Sequence, residues 1–387
     1  VGLLVNPIAG IGGRVGLKGS DGAAIVRQAL ALGAIPVAGG RAAMAVRQLL
    51  ARWPAAVPPP ILVTGPAEMG AAVAVAAGAG AAPEVIGSIE PGSTTAADTI
   101  RLAGLMAGRG VDLLLFAGGD GTARDVHAGL HGARVAVVGI PAGVKIQSAV
   151  FATSPAAAGE VAAAFLALPE GRRRTEAREV LDLDEDAYRR GEVAPRLWGE
   201  LGVPAEGRRL QSGKAPTPAS EAAAAAAIAA EVVAGARAGT RFILGPGSTV
   251  RAVGDRLGVA TTLVGVDVVE MRGAGAASLV VADAAEADLA PIAADDGCRI
   301  VVTPIGGQGF VFGRGNQQIS PPVIREVLRR SGREGIIIVA TPAKLAAIGV
   351  RPLLVDTGDP VLDRELAGHA RVITGRGERS VARVAAA

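Results

Sequence analysis

At 387 residues the chain exceeds one ordinary compact core, since domains usually run to roughly 100–200 residues, and two domains are expected. Half of the residues are hydrophobic and only 2% are aromatic, so the core has to be assembled from Ala, Val, Leu and Ile in closely packed layers, which favours α/β architecture. A formal net charge of +3, with nearly all cations arginine, argues against a nucleic-acid partner, and a single cysteine, Cys298, excludes an intrachain disulfide.

In chain order, Val1 to Val5 is a short apolar run followed by Asn6-Pro7 and a Gly-rich loop, after which Asp21 opens a helical pattern with Ile25, Val26, Ala29 and Leu30. Val46, Leu49, Leu50 and Trp53 repeat that period until Pro58-Pro59-Pro60. Strands are expected at Ile61 to Thr64, Glu84 to Ser88, Val111 to Ala117 and Arg134 to Ile140. Strands alternating with helices imply a parallel sheet over residues 1–168. From 169 to 219 the chain turns charged and proline-rich, as a crossover or linker would, with a half-exposed strand at Glu179 to Asp184. Over 220–387 an α/β pattern resumes, with strands at Arg241 to Leu244, Thr262 to Val269, Arg299 to Thr303, Gly335 to Ala340 and Pro352 to Val355, read as a second parallel layer. The Ala-rich run from Ala222 to Ala230, flanked by Glu221 and Glu231, reads as a soluble helix. With no signal-peptide pattern and no apolar run of bilayer length, a cytoplasmic protein with no membrane partner is expected.

The chemistry centres on Gly118, Gly119, Asp120, Gly121 and Thr122, which follow an apolar strand and open a helix. Glycines allow a sharp turn within reach of phosphate oxygens, and a helix N-terminus adds unpaired N–H groups and a positive dipole end. A carboxylate at this point can take a proton from an attacking hydroxyl or help hold Mg²⁺, while Thr122 can cap the helix and touch phosphate. Gly143 and Lys145 follow the next strand and should lie near this turn, and Lys18 and Asp21 in the first loop could meet phosphate, metal or hydroxyl. Asp21 is equally suited to an N-cap. Gly245, Gly247, Ser248 and Thr249 repeat the strand, turn, hydroxyl, helix order and could hold a second phosphate; Gly306, Gly307 and Gly309 could also approach a ligand. Thr95 and Asp98 suit a helix cap, and His127 and His131, four apart, suit packing better than a metal, whose ligands stay unassigned. The spacing around Gly10 to Gly16 fits neither the dinucleotide-binding fingerprint nor the Walker pattern.

The run Gly118 to Thr122, with Asn6-Pro7-Ile8-Ala9-Gly10, resembles the signature shared by NAD kinases and diacylglycerol and sphingosine kinases. Gly10, Gly12 and Gly13 with the following loop, Gly139 to Lys145, Gly245 to Thr249 and Gly313 to Gln318 are similar to the ATP-NAD kinase family proteins, the branch that includes the acetoin-catabolism protein X group. That resemblance implies an N-terminal parallel-sheet kinase domain and transfer of a phosphoryl group from ATP or polyphosphate to the 2′-hydroxyl of NAD, with Mg²⁺. It also makes Asp120 the general base and a homo-oligomer the expected assembly. The β-rich C-terminal domain of well-characterised NAD kinases is replaced here by an α/β pattern, and the nearest match to their Asn-Glu pair is Ser220-Glu221. Two alternatives stay open: a kinase of the same fold for a lipid or other small hydroxyl compound, and a non-catalytic nucleotide-binding accessory protein.

Overall fold

The computed structural model describes residues 1–17, 23–55, 57–80, 82–144, 146–183, 195–205, 220–273, 276–305 and 308–387. The chain divides into two compact units, the first comprising Val1–Ile11, Gly19–Ala187 and Glu192–Gly213, the second Gly12–Lys18, Tyr188–Gly191 and Lys214–Ala387.

In the first unit β1 (Gly2–Val5), β2 (Val63–Thr64), β3 (Glu84–Val85), β4 (Leu113–Gly118) and β5 (Ala136–Pro141) form a parallel sheet in the order β3-β2-β1-β4-β5. The apolar strands at its centre are buried on both faces, as unbroken Val/Leu/Ile runs require. Leu3 and Val5 of β1 and Leu113, Leu115 and Ala117 of β4 point into one core with α2 (Ala38–Arg52) and α6 (Pro155–Ala167). Leu4, Leu114 and Phe116 point into the other, with α4 (Ala96–Gly108) and α5 (Asp120–Leu130). This is the period of two of a strand, read twice. α1 (Ala23–Ala31) and α3 (Ala71–Ala76) complete the helices of this unit among the described residues. Thr95 and Asp98 serve α4 as a cap: the Thr95 N–H and hydroxyl both donate to the Asp98 carboxylate at 3.0 Å.

The stretch from 169 to 219 is more than a connection. β6 (Thr175–Leu183) and β7 (Pro195–Pro204) pair antiparallel, with Val180, Leu201 and Val203 buried in the same core as Phe116. Charged residues dominate its sequence because the other face of the hairpin is solvent-exposed. The segment between β5 and α6 is locked by Phe151, whose ring meets that of Phe116 edge-on at 5.2 Å between centroids and fills the space a side chain at position 139 would occupy.

The second unit contains a nine-stranded sheet in the order β10-β9-β8-β11-β13-β15-β16-β14-β12. Its members are β8 (Arg241–Leu244), β9 (Asp267–Gly273), β10 (Ala276–Val281), β11 (Arg299–Val302), β12 (Phe310–Phe312), β13 (Ile336–Val339), β14 (Leu353–Val355), β15 (Gly368–Gly375) and β16 (Glu378–Ala386). Six helices flank it among the described residues: α7 (Ser220–Ala234), α8 (Ser248–Arg256), α9 (Glu286–Ala293), α10 (Pro321–Ser331), α11 (Pro342–Ile348) and α12 (Pro360–Leu366). The expectation of a wholly parallel second layer is corrected here. β8, β11, β13 and β15 are parallel, but β9 runs antiparallel to β8 and β10, and β15 to β16. The β15–β16 hairpin turns through Arg376-Gly377, and its alternating charged and apolar residues conceal a strand that is half exposed.

Phe116→Ala should cost about 3–5 kcal/mol of stability, the range for deleting a buried aromatic ring, and lower the urea midpoint without changing the slope.

Candidate active site

β1 and β4 lie side by side at the centre of the first sheet, so the loops at their carboxyl ends are neighbours. The Asn6 N–H continues the ladder by donating to the Ala117 carbonyl at 3.0 Å, and its side-chain Nδ2 donates to Thr122 Oγ1 at 2.9 Å. The two sequence motifs, 116 residues apart, are thereby joined by a single hydrogen bond. Gly118 ends β4, Gly119 is the N-cap of α5, and Asp120, Gly121 and Thr122 form its first turn. Gly118 is required by close approach: a Cβ there would lie 2.3 Å from Thr122. Its carbonyl accepts from the N–H groups of Ala142 and Gly143 at 2.8 and 2.9 Å, which draws the loop after β5 onto the turn. Gly10, with φ +75°, closes the third side, since a Cβ there would sit 1.9 Å from the Ala142 carbonyl oxygen.

Asp120 is 7% exposed, and its carboxylate accepts from two backbone groups, the Gln147 N–H at 2.7 Å and the Ser148 N–H at 3.0 Å. Ser148 is in turn held by the hairpin: its hydroxyl donates to the Leu181 carbonyl at 2.8 Å and accepts from the Leu181 N–H at 3.0 Å. Arg124, one helical turn beyond Asp120, pairs with Asp182 of β6 at 2.6 Å and with Asp125 at 3.2 Å. Burial pushes the Asp120 carboxyl up to about 7, and the nearby Asp182 adds to that; hydrogen bonds from Ser148 and Gln147 act in the opposite sense without overcoming it.

The structure thus brings together Asn6, Gly10, Gly118, Gly119, Asp120, Gly121, Thr122 and Gly143. Gly12 and Gly13 are not among them: they cluster with the second unit, where the Arg14 guanidinium grips Glu286 at 2.6 and 2.8 Å. Gly245, Gly247, Ser248 and Thr249 also belong to that unit. Lys18, Asp21, Lys145, Gly306 and Gly307 lie outside the described residues. His127 packs beside Gly199 of β7, where a Cβ would come within 2.4 Å of its Nε2, as a packing residue should. Sequence reasoning missed Gln147, Ser148 and Asp182, which act through backbone groups or a distant hairpin and carry no motif. Arg124 was accessible from its spacing of four from Asp120.

Among the described residues no three His, Cys, Asp or Glu side chains gather as a metal site. No described helix is long and apolar enough to cross a membrane.

Residues 1–170 match the ATP-NAD kinase N-terminal domain, and residues 238–384 match the ATP-NAD kinase C-terminal domain. The chain belongs to the ATP-NAD kinase family. It is a kinase-type enzyme of phosphoryl transfer acting on small nucleotide substrates, as its two domain matches indicate. No curated protein and no solved structure matches the chain.

Two substitutions test the joint between the loops of this ATP-NAD kinase family protein. Asn6→Ala, which removes the bond to Thr122, should cost about 1 kcal/mol in chemical denaturation. Gly118→Ala should cost more than Asn6→Ala in the same measurement, because the new methyl group and Thr122 cannot both occupy the turn.

Proposed function

We propose that the protein phosphorylates the 2′-hydroxyl of NAD, giving NADP, with ATP or polyphosphate as donor and Asp120 as general base. The observation that carries the reading is a buried carboxylate at the start of α5, at the carboxyl end of β4, beside the central strand β1 of a family-matched kinase domain. Open α/β sheets bind ligands at that edge. Phosphoryl transfer depends mainly on positioning and charge stabilisation, so the turn from Gly118 to Thr122 and the first-turn N–H groups of α5 would hold phosphate oxygens. The Mg²⁺ that accompanies the donor would neutralise charge developing on those oxygens.

Asp120 suits the base role because its carboxyl, pushed up to about 7, matches the driving force a base needs near neutral pH. Each of its oxygens accepts one backbone N–H, which fixes the carboxylate plane and leaves further lone-pair capacity for the acceptor hydroxyl. Asn6, Gly10 and Gly143 would then shape the loops around the transferred group, while Lys18 and Lys145 remain candidates for phosphate contact, and Asp21 for metal or hydroxyl, on sequence grounds. Family membership supports NAD as the acceptor.

Purified protein incubated with NAD and Mg²⁺, separately with ATP and with polyphosphate, should form NADP. Asp120→Asn should lower the rate by about 10²–10⁴. Absence of NADP with either donor, while nucleotide still binds, would overturn the acceptor assignment and point to another hydroxyl compound.

The same assay run against pH gives a second check. Because a base works only when ionised, kcat should rise through about pH 7 and level off above it. A profile flat from pH 5 to 9 would remove Asp120 from the role.

A further inference from the structure

In the second unit β8, β11 and β13 are adjacent and parallel, so their carboxyl ends open side by side. Each delivers a polar group to one place. β8 leads through Gly245-Pro246-Gly247 into α8, which begins Ser248-Thr249; β11 ends one residue before Thr303; and β13 is followed by Thr341 and, in the first turn of α11, Lys344. The Lys344 ammonium donates to Thr249 Oγ1 and to Thr303 Oγ1, both at 3.0 Å. The packing is tight enough that a Cβ at Gly247, whose φ is +118°, would lie 2.8 Å from the Thr303 methyl group. Thr249 and Thr303 are buried, Lys344 is half-buried and Ser248 is exposed, so the cluster has a wall and an opening.

We infer that Lys344, Thr249, Thr303 and Ser248 form a second anion site, one that takes the phosphate chain of a nucleotide or of inorganic polyphosphate.

Two physical features lead there. A hydroxyl that accepts from an ammonium still has its own proton to give, so Thr249 and Thr303 are poised as donors beside the Lys344 cation. α8 begins on Gly247 without a side-chain cap, and a helix N-terminus leaves its first N–H groups without intrahelical acceptors. The carboxylate at this edge, Glu221 of α7, accepts from the Thr341 hydroxyl at 3.0 Å. This site is separate from the proposed chemistry of Asp120 and stands without it.

The full chain would be titrated calorimetrically with tripolyphosphate and, separately, with ADP, alongside Lys344→Gln and Ser248→Asp. Lys344→Gln removes the cation. Ser248→Asp keeps the fold, since an acidic residue in a first helical turn is favourable, but sets a negative charge against the ligand. Binding of at least one probe should weaken about tenfold or more in both variants, the scale of one lost charge-assisted hydrogen bond. Loss confined to ADP assigns a nucleotide, loss confined to tripolyphosphate assigns inorganic polyphosphate, and loss of both assigns the shared phosphate chain. Unchanged affinity and stoichiometry for both probes in a Ser248→Asp chain with an unaltered thermal midpoint would overturn the site. Failure of NADP formation would leave this result untouched.

Discussion

Burying the Asp120 carboxylate is the constraint around which the first unit is arranged. A charge removed from water must be met by donors or lose its charge, and here both happen in part: two backbone N–H groups hold the oxygens, and the carboxyl still rises to about 7. Those donors, Gln147 and Ser148, belong to a segment without regular structure. It is fixed by the Phe116–Phe151 contact on one side and by the Ser148–Leu181 hydrogen bonds on the other. The β6–β7 hairpin is therefore part of the wall of the candidate site. Folding stability follows the same proton. Because the folded carboxyl lies above its ordinary value of 3.8, the contribution of this group is fully present below that value and is lost as pH rises through about 7.

Arginine, which supplies nearly all of the cations, plays two different parts. On the surface it makes pairs such as Arg52–Glu160 and Arg329–Glu326, which contribute little because both partners are hydrated. Arg314 is different: 3% exposed, it pairs with Asp356 at 3.0 Å and lies 4.6 Å from the centre of the Phe310 ring. Because both partners are buried, this pair ties the residues just after β12 to those just after β14. In the second unit several buried polar groups, among them Thr303, Thr341 and Asp356, sit just beyond strand ends.

The two units share a motif at particular strands, β4 and β8: an apolar strand, a glycine-containing turn at its carboxyl end, and hydroxyl or carboxyl groups in the first turn of the following helix. Low aromatic content makes this workable, since Ala-rich helices such as α2 and α6 can approach the sheet and each other closely. Phe116, Phe151, Phe242, Phe310 and Phe312 are among the largest fully buried side chains of the described residues.

The sequence by itself determined the parallel sheet of the first unit and the turn from Gly118 to Thr122 with its aspartate, while the contact of that turn with Asn6, 116 residues away, is a product of the sheet order. The first two are local: a buried strand is a continuous apolar run, and a phosphate turn is a few adjacent residues whose backbone needs are written in glycine. Tertiary structure alone decided which backbone amides meet Asp120 and that the charged stretch after 169 folds back as a hairpin. It also decided that the Gly12–Lys18 segment clusters with the second unit and that Lys344 meets two threonines, 41 and 95 residues away. The strands β10, β15 and β16, and the antiparallel direction of β9, were hidden for a related reason. Half-exposed strands carry charge on one face, and whether neighbours run parallel or antiparallel is set by pairing across the sheet, which no short window of sequence contains.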